Sequence, residues 1–456
     1  MGTPHLSLRG VPAIPFRVTR DPAAGRQPGC GRAHNPAAAQ TKPARRRMDR
    51  YPGRVTGRSP PPALSVERVP EPVRRLLERL AAAGFASVLV GGCVRDLMEG
   101  RRVRDFDVAT PAPPERVLAL FPRAVPIGRR HGTVMVPTSA GPVDVTRFRS
   151  GPCLVDDLVR RDFTVNAIAW SPGGELVDPT GGLADLETGR LRAAGDADAR
   201  LGEDPLRALR AARLVAERGW HADPALVAAM GRVATRLAGV SGERLRAELE
   251  RLLCARFAGR GLRLLRSTNI EIELAPGVSE QAAALVDALP RRRDERLAAW
   301  LIGTPARRIL GRLRFASARS ERIVRVLAGH PVTERADPGR PASVRRLLHR
   351  FAPDEIDLLL DLAAATAQLE ATRGAQARVT TLRAAIGAQR ADGSVAFQRS
   401  ELALDGKGVM RVLGSGPGPV VGEALRYLTE CVLEDPAEND PDRLRARLEA
   451  WAEGRA

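Results

Sequence analysis

The chain has 456 residues, of which 44% are hydrophobic, and a formal net charge of +19. This length and composition are typical of a globular protein with several domains. No apolar run is long enough to span a membrane, and the five cysteines lack the CxxC spacing of a zinc site or a disulfide framework. A membrane protein and a cysteine-based scaffold are therefore excluded, and we expect a reducing, cytoplasmic location.

The N-terminal 60 residues contain 12 Lys or Arg and only two acids, so they carry +10 of the +19. They are rich in Pro, Gly and Ala and have no sustained periodicity, which predicts a disordered basic N-terminal extension over residues 1–60. An Arg-rich, acid-poor start is also typical of an organelle transit peptide, and Met48 is an alternative start. The rest of the chain carries the remaining +9, which fits a polyanionic partner. The chain contains almost no Lys, however, and a composition this rich in Arg is equally typical of a GC-rich genome.

Residues 61–195 predict an α+β unit. Apolar periodicity and turn residues predict helices over 70–84, 93–100 and 114–121, and strands over 85–91, 105–110, 132–138 and 142–148. These strands are too few, and the helices too unevenly placed, for a doubly wound sheet. From Asp204 onward Leu and Ala recur at helical spacing with Arg between them, so we expect the rest of the chain to be almost wholly helical.

The strongest chemical signal is GGCVRDLMEGRRVRDFDVAT, residues 91–110. Asp105 and Asp107 are two residues apart on a predicted strand, so both carboxylates point to the same face. Asp144 is the natural third carboxylate, because we expect its strand to pair beside the first. Such carboxylates are suited to hard divalent cations such as Mg²⁺, which prefers carboxylates together with substrate phosphates.

A glycine turn, Gly91-Gly92, and Arg95 lie just upstream of these carboxylates. Glycine lets backbone N–H groups come close to phosphate, and helix N-termini favour anions. Together with the carboxylates, the turn predicts a metal-dependent site for a nucleoside triphosphate, with Gly92 and Arg95 holding the phosphates. Each residue also has a structural alternative, namely a plain strand-to-helix turn for the glycines and an ion pair with Asp96 or Asp105 for Arg95.

A second cluster of charge lies in LVRRDFTVNAIAW, residues 158–170. Its consecutive positions Arg160, Arg161 and Asp162 face different directions. Asp162 can accept hydrogen bonds from ribose hydroxyls while Arg161 faces phosphate. Surface charge before a buried segment explains the pattern equally well.

A third pattern begins at Asp204, which together with Pro205 predicts a helix start with Asp as N-cap and Pro at the first helical position. Arg207, Arg210 and Arg213 then recur every three residues, so their guanidinium groups are neighbours. An Asp acceptor beside an Arg donor can read the Watson–Crick edge of C or A, whose exocyclic amine donates to the carboxylate. The alternative is an ordinary Arg-striped, solvated helix.

In this order, the blocks resemble the class II tRNA nucleotidyltransferase and bacterial poly(A) polymerase family. The resemblance covers the metal and triphosphate motif (GGCVRD with DFDVAT), the ribose motif (RRDFTVNAIA), the nucleobase-reading helix (EDPLRALRAAR) and its supporting block (SGERLRAELERLL). DPTGGLADLETGRLRA also matches, and ELALDGKGVM with GPGPVVGEAL is similar to the tRNA-binding end of these enzymes. The similarity is good over residues 70–255 and weaker over 260–395.

The resemblance implies an α+β, polymerase-β-like nucleotidyltransferase head followed by an all-α neck, body and tail. Its domains would be the head over 61–195, a neck with the nucleobase-reading helix over 196–265, a body over 266–395 and a tRNA-binding tail over 396–456. The implied reaction is attack of an RNA 3′-hydroxyl on the α-phosphate of CTP or ATP, which releases pyrophosphate and needs no nucleic-acid template.

The resemblance also implies a role for each candidate residue. Mg²⁺ would be held by Asp105 and Asp107, with Asp144 as the third catalytic carboxylate. The nucleotide would be bound at the triphosphate by Gly91, Gly92 and Arg95, at the ribose by Arg161 and Asp162, at the base by Asp204 and Arg207, and along the same nucleotide by Arg210 and Arg213.

Two segments bear on the choice of product. GRRHGTVMV, which contains His131, is more similar to CCA-adding relatives than to poly(A) polymerases. The segment SGPCLVD, residues 150–156, is shorter than the flexible loop that accompanies the switch from C to A addition in CCA-adding relatives. We therefore expect CCA-end synthesis on tRNA from CTP and ATP. The alternatives are CC addition alone, a poly(A) polymerase acting on general RNA, and a catalytically silent RNA-binding relative.

Overall fold

The computed structural model describes residues 64–128, 132–148, 153–172, 176–370, 374–391 and 401–454. The predicted extension over 1–60, His131 and the first part of the short segment, residues 150–152, lie outside the described residues. Among the residues described, no helix is both long and apolar enough to cross a membrane.

A mixed sheet of seven strands in the order β3-β4-β5-β2-β1-β6-β7 forms the N-terminal part. Its strands are β1 (Val88–Val90), β2 (Phe106–Thr110), β3 (Val125–Gly128), β4 (Thr133–Thr138), β5 (Gly141–Arg147), β6 (Ala169–Trp170) and β7 (Leu176–Val177). The predicted α+β class is confirmed. Sequence periodicity missed β3, β6 and β7, because strands of two to four residues are too short to show alternation.

Two apolar layers cover the sheet. Alternate residues of the central strands point into one layer, which also contains apolar side chains of the first helix. These strand residues include Phe106, Val108, Val143 and Val145. The positions between them face the other side, where Ala109 packs in the second layer. Asp107 and Asp144 therefore occupy the face opposite to the large side chains of their own strands.

The short helices of this part are α1 (Glu71–Ala82), α2 (Gly92–Met98), α3 (Pro114–Leu120), α4 (Leu154–Leu158) and α5 (Gly182–Thr188). Next comes a two-stranded parallel ladder of β8 (Arg190–Leu191) and β9 (His221–Ala222). In the chain, α6 (Ala197–Glu203) and α7 (Leu206–Arg218) lie between these two strands. The predicted helix start, with Asp204 as N-cap and Pro205 at the first helical position, is displaced by one residue, since Pro205 is the N-cap and α7 begins at Leu206.

The rest of the described chain is helical, as predicted. Its helices are α8 (Pro224–Val233), α9 (Gly242–Leu253), α10 (Ala258–Ser267), α11 (Ile270–Leu274), α12 (Ala282–Ala288), α13 (Arg293–Leu301), α14 (Ala306–Arg312), α15 (Ser317–Gly329), α16 (Val332–Arg335), α17 (Pro341–Arg350), α18 (Pro353–Glu370), α19 (Ala375–Ala391), α20 (Gly406–Leu413), α21 (Pro419–Glu434) and α22 (Pro441–Glu453).

One continuous apolar core runs from Phe163 to Ile386, whereas the last three helices have a core of their own. The predicted neck and body thus share a core, and their division at residue 265 stays a prediction. Arg345 of α17 joins the last unit to the rest, since its Nε donates to the carbonyl of Leu433 at 2.8 Å. This contact places a cation at the C-terminal end of α21, where the helix dipole favours positive charge.

Helix α7 is buried on most of its surface, which requires close packing by its neighbours. A Cβ at Gly261 of α10 would lie 2.7 Å from the carbonyl oxygen of Ala212 and 2.9 Å from the Cβ of Ala216. The absence of a side chain at Gly261 therefore lets α10 approach the backbone of α7, and this contact fixes the position of the helix.

The C-terminal end of α7 is attached to α2 by Arg218. One Nη of its guanidinium donates to Asp96 and the other to Glu99, and the Arg218 side chain is only 6% exposed. A charge buried at this depth needs its partners, because desolvation of an unpaired ion is costly. This ion-pair cluster ties the C-terminal end of α7 to the C-terminal half of α2.

We expect Arg218→Ala to lower the free energy of unfolding by about 2 kcal/mol, because it removes a buried cation that two carboxylates share and leaves each of them with one remaining arginine, Arg95 or Arg101. Urea titration followed by circular dichroism would measure the loss. Arg232→Ala is the matched control, since Arg232 also donates two hydrogen bonds to one acid, Asp198, but at an exposed position. Equal losses in the two variants would contradict the role of burial.

Candidate active site

The acidic cluster lies where β2 and β5 run side by side. These strands pair in parallel, and Asp107 stands directly opposite Asp144 in the register, so their side chains project from adjacent strands about 5 Å apart. The prediction that the strand of Asp144 pairs beside the first is confirmed. Asp105 precedes β2 by one residue and is exposed, so the expectation that it lies on the strand is wrong.

Electrostatics nevertheless couple the three carboxylates. Burial, with the neighbouring Asp144 and Asp105, raises the pKa of Asp107 to about 6, against the opposing effect of Arg161 and Arg210. Burial and the charge of Asp105 likewise raise the pKa of Asp144 above its ordinary value. Among the described residues, no three Asp, Glu, His or Cys side chains converge tightly enough to hold a metal ion by themselves. A cation at this cluster would therefore need further oxygen ligands.

The glycine turn brings Arg161 to this cluster. Gly91 has φ 76°, in the left-handed region that favours glycine. A Cβ there would lie 3.1 Å from Nη1 of Arg161 and 3.7 Å from Oδ2 of Asp107. Nη2 of Arg161 donates to Asp157 at 3.1 Å. The turn, Arg161 and Asp107 thus enclose one small volume next to the N-terminus of α2.

Arg95 is buried beside Gly92, since a Cβ at Gly92 would lie 3.5 Å from its Nη2. Nε and Nη2 of Arg95 donate to Asp96 at 3.1 and 2.9 Å, and Nη1 donates to Oδ1 of Asn166 at 2.5 Å. The structural alternative of an ion pair with Asp96 is therefore realised. A guanidinium has five N–H donors, so these contacts leave one N–H on each Nη for an anion.

Asp162 is the most strongly held carboxylate of the site. Its Oδ1 accepts from the backbone N–H of Phe163 and from Nδ2 of Asn166, each at 2.9 Å, and its Oδ2 accepts from Nη1 of Arg210 at 2.9 Å. Burial opposes ionisation, but Arg210 and the hydrogen bond from Asn166 outweigh it and lower the pKa of Asp162 to about 2. Asp162 is therefore an acceptor at every physiological pH.

Two of the three regularly spaced arginines of α7 converge on Glu248 of α9. Nε of Arg210 lies 3.3 Å from Oε1 of Glu248, and Nε of Arg213 donates to Oε2. Arg213 is buried and also donates to both carboxylate oxygens of Glu217 at 2.9 Å. These contacts favour a supporting role for Arg213 over the nucleotide contact that the resemblance implies.

Asp204 and Arg207, the predicted base-reading residues, each bind other side chains in this structure. Oδ2 of Asp204 accepts from Arg244 of α9 at 2.7 Å, while Oδ1 accepts from the backbone N–H of Leu206 at 3.2 Å, as an N-cap does. Nη1 of Arg207 donates instead to Glu203 at 2.7 Å and to the carbonyl of Arg200 at 2.8 Å. Both side chains still lie at the start of α7, and Arg207 contributes to the lowered pKa of Asp162.

Sequence reasoning missed the partners that orient these residues: Asn166, Glu203, Arg244 and Glu248. Glu203 was visible as an acid four residues before Arg207, which is the spacing of a helical ion pair. Glu248 and Arg244 belong to the supporting block on α9, but which arginine each meets depends on how α9 packs against α7. Asn166 stands in the ribose motif without a charge to mark it.

Comparison with known proteins agrees with these observations. A family model for the poly A polymerase head domain matches residues 87–192, and one for a probable RNA and SrmB-binding site of polymerase A matches residues 220–281. The CCA-adding enzyme of Geobacillus stearothermophilus is 33% identical over 408 residues, which span 82% of this chain and 95% of that enzyme. The CC-adding tRNA nucleotidyltransferase of Shouchella clausii is 31% identical over 387 residues, which span 84% and 98%.

The fold agrees as well. The crystal structure of a Bacillus stearothermophilus CCA-adding enzyme in complex with CTP aligns with a TM-score of 0.67 at 30% identity, and the alignment covers 85% of this chain and 99% of that one. Similarity at this level over most of both chains shows that this protein belongs to the family of the CCA-adding nucleotidyltransferases.

Proposed function

We infer that this protein is a template-independent nucleotidyltransferase that adds C and A from CTP and ATP to the 3′ end of tRNA and releases pyrophosphate. The observation that carries this proposal is a continuous path of hydrogen bonds from Arg95 through Asn166 and Asp162 to Arg210. This path joins the glycine turn, which we assign to the phosphates, to the buried acceptor Asp162 and to α7. Arg210 lies close enough to the acidic cluster to act against the raised pKa of Asp107. The cytoplasmic location expected from the cysteine pattern stays a prediction.

The parts of a nucleotide can be assigned along this path. The two uncommitted N–H groups of Arg95 and the turn at Gly91 and Gly92 suit the triphosphate, because guanidinium groups and helix N-termini favour anions. Asp162 has three of its roughly four acceptor positions filled, and the one that remains suits a ribose hydroxyl. Asp204, at the start of α7, would accept the exocyclic amine of C or A.

Members of this family generally depend on a divalent metal ion. We propose that Asp105 and Asp107 hold Mg²⁺ together with the triphosphate, and that Asp144 completes the acidic cluster. Burial and mutual repulsion raise the pKa of Asp107 and Asp144, which fits this role, since a cation would stabilise the ionised carboxylates. When bound, the ion would neutralise phosphate charge and make the attacking 3′-hydroxyl more acidic.

A second candidate is addition of the two cytidines alone. The short SGPCLVD segment favours it, and so does the similarity to the CC-adding enzyme of Shouchella clausii. Residues 154–156 of this segment form the start of α4, whose Leu154 and Leu158 are buried in the core. This end of the segment is packed in the core, so residues 154–156 are not free to rearrange between C and A addition.

Incubation of the purified protein with tRNA lacking its 3′ end, CTP and ATP tests the proposal directly. We expect products extended by CCA, resolved on a sequencing gel. Products that stop after two cytidines would support the second candidate, and long A tails on unstructured RNA would overturn both. Asp107→Asn should give no product while tRNA binding is unchanged, because only the acidic cluster is altered.

The raised pKa of Asp107 predicts a pH dependence. Above pH 6 the carboxylate is ionised and can bind a cation, whereas below pH 6 it takes up a proton that competes with the cation. We therefore expect the affinity for Mg²⁺–CTP to fall about tenfold for each pH unit below 6. Isothermal titration between pH 5 and 8 would measure it. The phosphates of CTP also titrate, and that part of the pH dependence should remain in Asp107→Asn. The part that comes from Asp107 should disappear. If Asp107→Asn shows the same pH profile as the wild type, Asp107 is not the titrating group.

Asp204→Ala separates base reading from helix capping. We expect UTP and GTP to compete better with CTP and ATP, while the loss of the cap costs only about 1 kcal/mol of stability. Misincorporation assays and thermal melting would measure the two effects. Asp196→Ala is the matched control, because Asp196 caps α6 through Ala199 at 2.8 Å from an exposed position. Equal selectivity in the two variants would mean that Asp204 is only a cap.

A further inference from the structure

We propose that Asn166 is a positioning residue that holds Arg95 and Asp162 at a fixed separation, so that the triphosphate and the ribose of one nucleotide are recognised together. The proposal deepens the function proposed above and rests on it. In this view Asn166 does not itself need to touch the nucleotide. It acts through the two side chains that do, and its loss would loosen sugar recognition.

The side-chain amide of Asn166 bridges two groups of opposite charge. Its Oδ1 accepts from Nη1 of Arg95 at 2.5 Å, and its Nδ2 donates to Oδ1 of Asp162 at 2.9 Å. This orientation is the one that chemistry allows, because a flipped amide would set its NH₂ against the guanidinium and its oxygen against the carboxylate. The amide is thus held at both ends by charge-assisted hydrogen bonds, which are stronger than neutral ones.

The backbone beneath the amide is anchored. Asn166 ends a 3₁₀ turn, and its N–H donates to the carbonyl of Phe163 at 3.0 Å. Oγ1 of Thr164, at the start of the turn, donates to Asp185 at 2.5 Å. The turn also packs against Gly182, where a Cβ would lie 2.1 Å from the carbonyl oxygen of Thr164. Asn166 is therefore fixed by its own backbone and can orient its two partners.

An amide is suited to this place because it combines a donor and an acceptor without net charge. An acid at position 166 would face Asp162 as a like charge, and a lysine would face Arg95. The amide satisfies each partner with one bond, so two N–H groups of Arg95 and one acceptor position of Asp162 remain for a ligand. The head thereby keeps both ligand-binding groups oriented before the nucleotide arrives, which lowers the entropy cost of binding.

The test compares Asn166→Ala and the isosteric Asn166→Asp with the wild type. We would measure kcat and KM for CTP and dCTP addition, direct binding of both nucleotides without RNA, and thermal melting. If Asn166 positions Asp162 for the ribose, the preference for CTP over dCTP in kcat/KM should fall by roughly tenfold in Asn166→Ala. Asn166→Asp should lose at least as much, because its new carboxylate repels Asp162 despite its native shape.

Asn439→Ala is the matched control, since Asn439 also bridges two groups, the carbonyl of Glu401 and the N–H of Ala403, at 3.0 and 2.8 Å. In the absence of RNA, the Asn439→Ala variant should show the same preference for binding CTP over dCTP as the wild type. If Asn166→Ala and Asn166→Asp keep the wild-type preference for CTP and change only melting, or if Asn166→Asp is the milder variant, the positioning role is overturned. A wild-type protein that adds no nucleotide would refute the proposed function instead, and the two failures are thus distinguishable.

Discussion

The ion pair between Asp162 and Arg210 is the constraint on which the site depends. It joins a turn that packs on the sheet to a helix in the all-α part, and Asp162 is buried while the Arg210 side chain is 35% exposed. Such a pair contributes little net stability but is costly to break on the side of Asp162, because the buried carboxylate would lose the guanidinium that donates to it, whereas Arg210 would keep Glu248. The pair therefore links the first turns of α7, with Asp204 and Arg207, to the part of the head that carries the glycine turn.

This pair is the centre of a longer network. Arg210 also donates a hydrogen bond to Glu248. At the other end of α7, Arg218 donates to Asp96, which accepts from Arg95 as well. The network uses arginine throughout, and the planar fork of that side chain can serve two acceptors at once, whereas lysine acts as a point charge. The abundance of arginine, which by composition alone is also typical of GC-rich coding, thus acquires a structural role in this part of the molecule.

The acidic cluster stands in contrast to this network. Cations and hydrogen-bond donors lower the pKa of Asp162 despite its burial, whereas burial and the neighbouring carboxylates raise the pKa of Asp107 despite the presence of Arg161. The first arrangement is complete in the protein alone. The second is electrostatically unfavourable until positive charge is added, which is the behaviour expected of a site whose ligand includes a cation.

Sequence alone determined the α+β class, the helical remainder, the glycine turn and the pairing of the strands that carry Asp107 and Asp144. These follow from local rules, namely periodicity, turn residues and side-chain type, which act over a few positions. Tertiary structure decided which groups meet: Asp204 pairs with Arg244 rather than Arg207, Arg213 supports Glu248, and Asn166 joins Arg95 to Asp162. All of these contacts except the one between Asn166 and Asp162 link residues at least 35 positions apart. They depend on how α7, α9 and the sheet pack, which no local pattern encodes.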